Sequence, residues 1–262
     1  MTSKSFRGLA SLVAVLTVAA CAGQQESATS VRQQSSTTAA IAPSTTQAPA
    51  STTTEPVESI PTLGSGGEED LEPGTYLLDF QRRAAGQREY PQVVLTVPDG
   101  WQNYRGFLVG ARRDTQRHVN VSFWDVTYLY GHPCDWSGSS FDPGRTVEEL
   151  VAALVDIPMR NATTPVEVTV NGYQGFMLEW SVPTDIDFAS CDEGFFESWR
   201  AAGWSTDRYQ QAPGQVDRLW ILDMDGSRLV IDAAYRSGAT EQDLEELFAV
   251  VDSIRFQPVK EG

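Results

Sequence analysis

Two histidines, three cysteines and one acidic loop hold most of the residues in this 262-residue chain whose chemistry goes beyond packing. Imidazole titrates near neutral pH, so His118 or His132 beside a serine or an aspartate could act as the general base of a secreted hydrolase. No G-x-S-x-G elbow, P-loop, G-x-G-x-x-G turn or H-E-x-x-H helix accompanies them. No catalytic residue and no cofactor is therefore assigned. His132 opens the string His132-Pro133-Cys134-Asp135-Trp136. With Cys191 and Asp135 it makes barely four metal ligands, at a spacing unlike common zinc sites, and no metal is expected. Cys21 closes an N-terminal apolar stretch, which leaves Cys134 and Cys191 as an even pair. In an exported chain such a pair is expected to be a disulfide. Closing its loop should contribute about 4 kcal/mol in the chain-entropy model.

The acids are Asp185, Asp187, Asp192, Glu193 and Glu197. An EF-hand loop starting at Asp185 would have Ala189 at its fifth position and Ser190 at its sixth, where an oxygen ligand and glycine belong, so only an irregular cation site remains. Phe188, Phe195, Phe196, Trp199, Trp204 and Tyr209 lie in the same region. Ring faces near carboxylates can hold a sugar or an apolar ligand, and the same rings can equally form core beneath the disulfide. Phe196, Trp199, Trp204 and Tyr209 are the candidate ligand-binding residues, Trp199 and Trp204 foremost. Trp136 and Trp180 are expected to pack near Cys134 and within a sheet.

These residues sit behind an export signal and a tether. Lys4 and Arg7 precede an uncharged stretch from Leu9 to Ala20, which rises about 18 Å as a helix, short of a hydrocarbon core of about 30 Å. Val18-Ala19-Ala20-Cys21 resembles the lipobox of bacterial lipoproteins. The resemblance implies removal of residues 1–20 and a diacylglyceryl group on Cys21, holding the chain to the outer, extracytoplasmic face of a cell membrane. Two acyl chains suffice without a basic patch. Residues 21–70 are rich in Ser, Thr, Gln, Ala and Pro, a composition expected to be a disordered linker. Residues 71–258 are expected to form one domain. The chain has 35 acidic and 19 basic residues, a formal charge of −16, so nucleic acid is a poor partner. Arg82, Arg83, Arg88, Arg105, Arg112, Arg113 and Arg117 form the one basic stretch, read as a solvated face or an anion contact.

Two hairpins stand out: Val166–Val170 with Tyr173–Val182 around Asn171-Gly172, and Arg218–Met224 with Arg228–Tyr235 around Asp225-Gly226. Thr75–Phe80, Gln92–Val97, Gly106–Ala111 and Val119–Tyr128 also read as strands. Thr146 with Glu149, and Thr240 with Asp243, open two amphipathic helices. A short helix is expected at Gly194–Ala202. The fold class is α+β, an antiparallel sheet with helices packed on its faces. Strand order and helix placement after a lipobox and Ser/Thr stalk resemble the PsbP-like fold of small actinobacterial lipoproteins. The strings HPCDW, VNGYQGF, SWRAAGW and LWILDMDGSRLVI resemble a group of secreted actinobacterial domains. The likeness brings no catalytic residues and implies a binding or accessory protein. The expected function is a non-catalytic extracytoplasmic module for a small molecule or an envelope protein. A hydrolase using His118 or His132 and a purely structural envelope protein are the alternatives.

Overall fold

The computed structural model describes residues 59–78, 90–112, 114, 116–202 and 207–257. The expected signal peptide, Cys21 and the linker up to residue 58 lie outside the described residues. In chain order the strands are β1 (Thr62–Leu63), β2 (Glu68–Asp70), β3 (Gly74–Leu78), β4 (Gln92–Val97), β5 (Gln102–Tyr104), β6 (Leu108–Arg112), β7 (His118–Trp124), β8 (Val126–Tyr130) and β9 (Ser140–Phe141). Helix α1 (Val147–Asp156) leads to β10 (Asn161–Ala162), β11 (Val166–Val170), β12 (Tyr173–Ser181), β13 (Phe196–Ala201), β14 (Arg208–Gln210), β15 (Val216–Met224) and β16 (Ser227–Tyr235). Helix α2 (Glu241–Asp252) and β17 (Arg255–Gln257) follow. Nine strands make a central sheet in the order β10-β12-β15-β16-β7-β6-β5-β2, with β11 also on β12. Two four-stranded sheets complete the architecture, β1-β3-β4-β17 and β14-β13-β8-β9, the latter called the small sheet below.

The hairpins form where the sequence puts them. Asn171 and Gly172 have φ of 50° and 90°, and Asp225 and Gly226 have 55° and 86°. These positive values suit the two-residue loops that pair Val170 with Tyr173 and Met224 with Ser227. Both helices begin in complete capping boxes, Thr146 with Glu149 and Thr240 with Asp243. A cap of this kind contributes about 1 kcal/mol. Helix α1 stops at Ile157, whose extended backbone suits the residue before Pro158.

The central sheet is buried on both faces. Val119, Val121, Phe123, Leu222, Leu229 and Ile231 meet Leu95 and Val97 of β4 and Leu247 and Val250 of α2. On the other face Trp124, Leu178, Trp180, Leu219, Ile221 and Val230 meet Leu150 and Leu154 of α1 and Leu129 and Trp199 of the small sheet. Each such large apolar side chain contributes about 1.5–3 kcal/mol by leaving water. This burial explains why β16 reads as an almost unbroken apolar run in place of a strict alternation.

Four expectations need correction. The fold is sheet-rich, with only two α-helices among the described residues, and sheets as well as helices cover the central sheet. The expected helix at Gly194–Ala202 is instead β13, because pairing with β8 and β14 outweighs a pattern too short to carry a period. Part of the expected linker is folded: Thr62–Leu63 and Glu68–Asp70 are strands, and Leu63 is buried. The run Val119–Tyr128 is two strands. It breaks at Asp125, where β7 leaves the central sheet and β8 enters the small one.

Candidate functional site on the small sheet

Tyr128, Phe141, Phe195 and Tyr209 are the exposed aromatic residues among the described ones. Tyr128, Phe141 and Tyr209 lie on β8, β9 and β14, and Phe195 immediately precedes β13, so all four gather on one sheet. Register sorts them by face, since directly paired residues share one. Trp199 pairs with Leu129 and both point into the core. Arg200 pairs with Tyr128 and Glu197 with Tyr209, which makes these four the outer face. Phe195 packs edge-on against Tyr209, with centroids 5.1 Å apart, and Trp136 packs likewise on Tyr130 at 5.7 Å. Phe141 pairs with Leu129 and is exposed because β9 is an edge.

An ionic network crosses this face. Arg200 donates two hydrogen bonds to Asp207, at 2.8 and 2.9 Å, and one to the Tyr130 hydroxyl at 3.2 Å. The Tyr130 hydroxyl in turn donates to Asp207. The Arg200 hydrogen bonds hold the Asp207 carboxyl below its ordinary range. Burial and the bond to Asp207 push Tyr130 up to about 12, so it stays a neutral donor. Glu197 differs. It is 6% exposed, and its Oε2 has no hydrogen-bond partner. Burial, reinforced by the charge of Asp207, pushes its carboxyl up to about 7. Such a group exchanges a proton, or accepts a cation, near neutral pH.

The structure divides the candidate ligand-binding residues. Tyr209 is on the exposed face. Trp204 lies outside the described residues. Trp199 and Phe196 are corrected to core positions, both fully buried. They belong to a run of planes: Phe188 stacks on Phe196, the Arg160 guanidinium lies 4.7 Å from Phe196 and 3.9 Å from Trp180, and Trp180 stacks on Trp199. Ring and guanidinium faces attract through the ring quadrupole, most strongly where water is excluded. Beside this stack Arg208 bonds to Asp217 at 3.0 Å and Asp232 at 2.9 Å, while Arg160 lies 3.8 Å from Asp217. Burial lowers Arg160 to about 9, which leaves it charged at neutral pH. Sequence reading passed over Arg160. Its setting, the four residues between the end of α1 at Asp156 and the start of β10 at Asn161, is too short to carry a period and offers no signal.

The remaining expectations are placed by geometry. Cys134 and Cys191 form the disulfide, which takes both sulfurs out of metal ligation. Val182 and Phe196 pack around it. His132 Nδ1 accepts a hydrogen bond from the Asp135 amide at 2.9 Å. The neutral ring therefore carries its proton on Nε2, the reverse of the tautomer a Ser-His-Asp base needs. His118 is buried at the start of β7. In the acidic loop Asp187 caps the turn at Phe188–Ser190, and Asp192 Oδ2 accepts from the Ser137 amide. Among the described residues no group of three His, Cys, Asp or Glu side chains could hold a metal. Of the arginine stretch, Arg117 grips Asp243 with two bonds of 2.8 Å, and Arg82, Arg83, Arg88 and Arg113 lie outside the described residues.

Away from this face, a groove of about 760 Å³ lies where the N-terminus of α1 meets the β11–β12 and β15–β16 hairpins. Arg145, Glu148, Glu167, Thr169 and Arg228 line it. Arg228 is committed to the carbonyls of Gly144, Thr146 and Val126, so this cation fastens α1 to the sheet. Among the described residues no helix is long and apolar enough to cross a membrane.

No family model and no curated protein matches the chain. Solved structures that align with it include those of LpqN and cyanobacterial PsbP. The crystal structure of LpqN, involved in cell envelope biogenesis of Mycobacterium tuberculosis, is 12% identical, covering 73% of this chain and 91% of its own, with a TM-score of 0.37. The solution structure of cyanobacterial PsbP (CyanoP) from Synechocystis is 10% identical, covering 70% of this chain and 93% of its own, with a TM-score of 0.33. TM-scores this low transfer neither a fold nor a function.

Proposed function

We propose that this chain is an exported, non-catalytic binding module, lipid-anchored through Cys21, that offers the outer face of its small sheet to a small molecule or an envelope protein. The observation that carries this reading is the gathering of three of the four exposed aromatic residues among the described ones, Tyr128, Phe195 and Tyr209, on that face, with Phe141 at the sheet's edge. Scattered apolar residues need no explanation, whereas a cluster rimmed by polar groups marks an interaction surface. Rigid rings beside Arg200, Asp207 and Glu197 combine stacking area with placed polar groups, as a ligand surface requires. The Cys134–Cys191 disulfide supports an oxidising, extracytoplasmic setting. The Val18-Ala19-Ala20-Cys21 string supports the anchor, and the order of strands, with one helix midway and one near the C-terminus, supports the PsbP-like reading.

Native mass spectrometry of protein purified from the organism that makes it tests the reading. Wild type should retain a ligand or partner that Tyr128→Ala/Tyr209→Ala loses with its circular dichroism unchanged. Equal retention by the double variant would refute the assignment of this face. Intact mass before and after Cys21→Ser tests the anchor, which predicts loss of a diacylglyceryl mass and release from the membrane fraction.

A further inference from the structure

We propose that Glu197, Tyr209 and Phe195 form a subsite for a cationic group of the ammonium class, such as an alkylamine or a quaternary ammonium. The inference deepens the binding reading above and rests on it. Three observations converge. Glu197 is paired in register with Tyr209, so the two side chains leave the sheet on one face as cross-strand neighbours. Tyr209 is 39% exposed and Phe195 40%, in edge-to-face contact, so ring surface is open to solvent next to the acid. Glu197 itself is 6% exposed with an unpartnered Oε2, a condition that native proteins seldom leave without a reason.

A carboxylate withdrawn from water lacks what a cation supplies. An ammonium group at the ring faces would gain the attraction of their π clouds and neutralise the acid in the same place. Arg208 and Arg200 favour the charged form of Glu197 only through space, without a hydrogen bond to it, and burial with the Asp207 charge outweighs them. Arg200 on the same strand is bound to Asp207, and Arg208 on β14 is bound to Asp217 and Asp232. Asp207 and, from the loop before β13, Glu193 add negative charge. A neutral sugar would find rings here but would leave the acid uncompensated. The site therefore favours a cation, and a proton is its competitor.

The test uses the full purified protein, tetramethylammonium chloride as probe, and 2,2-dimethylpropanol as an uncharged probe of similar shape, with sodium chloride at matched ionic strength. Carbon-detected NMR follows the Glu197 carboxyl through a pH titration, and proton NMR follows the Tyr209 ring. Tetramethylammonium should lower the Glu197 midpoint and shift Tyr209. Glu197→Gln, which keeps the side-chain shape, should weaken that binding about tenfold. Equal shifts from the alcohol, an unmoved Glu197 midpoint, or unchanged affinity in Glu197→Gln would each overturn the cation subsite. The wider reading fails separately, through equal ligand retention in Tyr128→Ala/Tyr209→Ala.

Discussion

Asp243 and Glu197 show how the same side-chain chemistry takes opposite directions in one fold. Asp243 is buried at the start of α2, where Arg117, the Thr240 amide and the Thr240 hydroxyl all bond to its carboxylate. The Arg117 bonds come first among the causes that hold it well below the usual carboxylate range. Its contribution to stability is complete above an unfolded pKa near 4 and is lost as pH falls through the lower folded value. Asp243→Ala should cost about 2 kcal/mol by urea unfolding at pH 7, and the difference from wild type should shrink toward pH 3. For Glu197 the sign reverses. The unfolded chain releases this proton near pH 4.3, whereas burial keeps it on the folded protein up to about pH 7. Stability falls as pH rises across that window, so Glu197→Gln should gain on wild type between about pH 5 and pH 7 and hold the gain above it. A difference independent of pH would show that Glu197 meets water freely.

At the scale of elements, what the sequence reveals follows from length. The β11–β12 and β15–β16 hairpins were legible because Asn-Gly and Asp-Gly leave one turn geometry, and α1 and α2 because capping boxes precede apolar stripes. β2, β5, β9, β10 and β17 have two or three residues each, too few for any period, and only their partners make them strands. The candidate site was half legible for the same reason. The cluster of aromatics and acids between Asp185 and Tyr209 was visible, but which rings face out depends on the pairing of β13 with β8 and β14 and on a bulge between Glu197 and Trp199. Gly175 shows the close approach of β12 to β15. A Cβ there would overlap the Ile221 carbonyl oxygen, which is backbone and cannot swing aside. Gly175→Ala should therefore destabilise by about 2–3 kcal/mol in thermal unfolding. The disulfide ties the loop after β8 to the turn before β13 across a separation of 57 residues. Cys134→Ala/Cys191→Ala should cost about 2–4 kcal/mol. It should also raise amide exchange around Trp136, whose indole donates to the Asp192 carbonyl.

For the molecule as a whole, the central sheet separates two tasks. The face under α2 and the four-stranded sheet containing β4 is an apolar core. The face under α1 and the small sheet carries both an apolar cluster and the buried Arg160, Arg208, Asp217 and Asp232. Burying such charges seldom adds net stability, but each needs its partners, so they fix how the small sheet sits on the central one. The small sheet is thus a rigidly seated platform with its aromatic side outward. Hydrogen exchange of the purified protein, with and without solubilised envelope extract from its own organism, tests this platform most directly. The account predicts new protection in β8, β13 and β14 that Tyr128→Ala/Tyr209→Ala abolishes. Protection confined to the groove between α1 and the β11–β12 hairpin, with the small sheet unchanged, would contradict it.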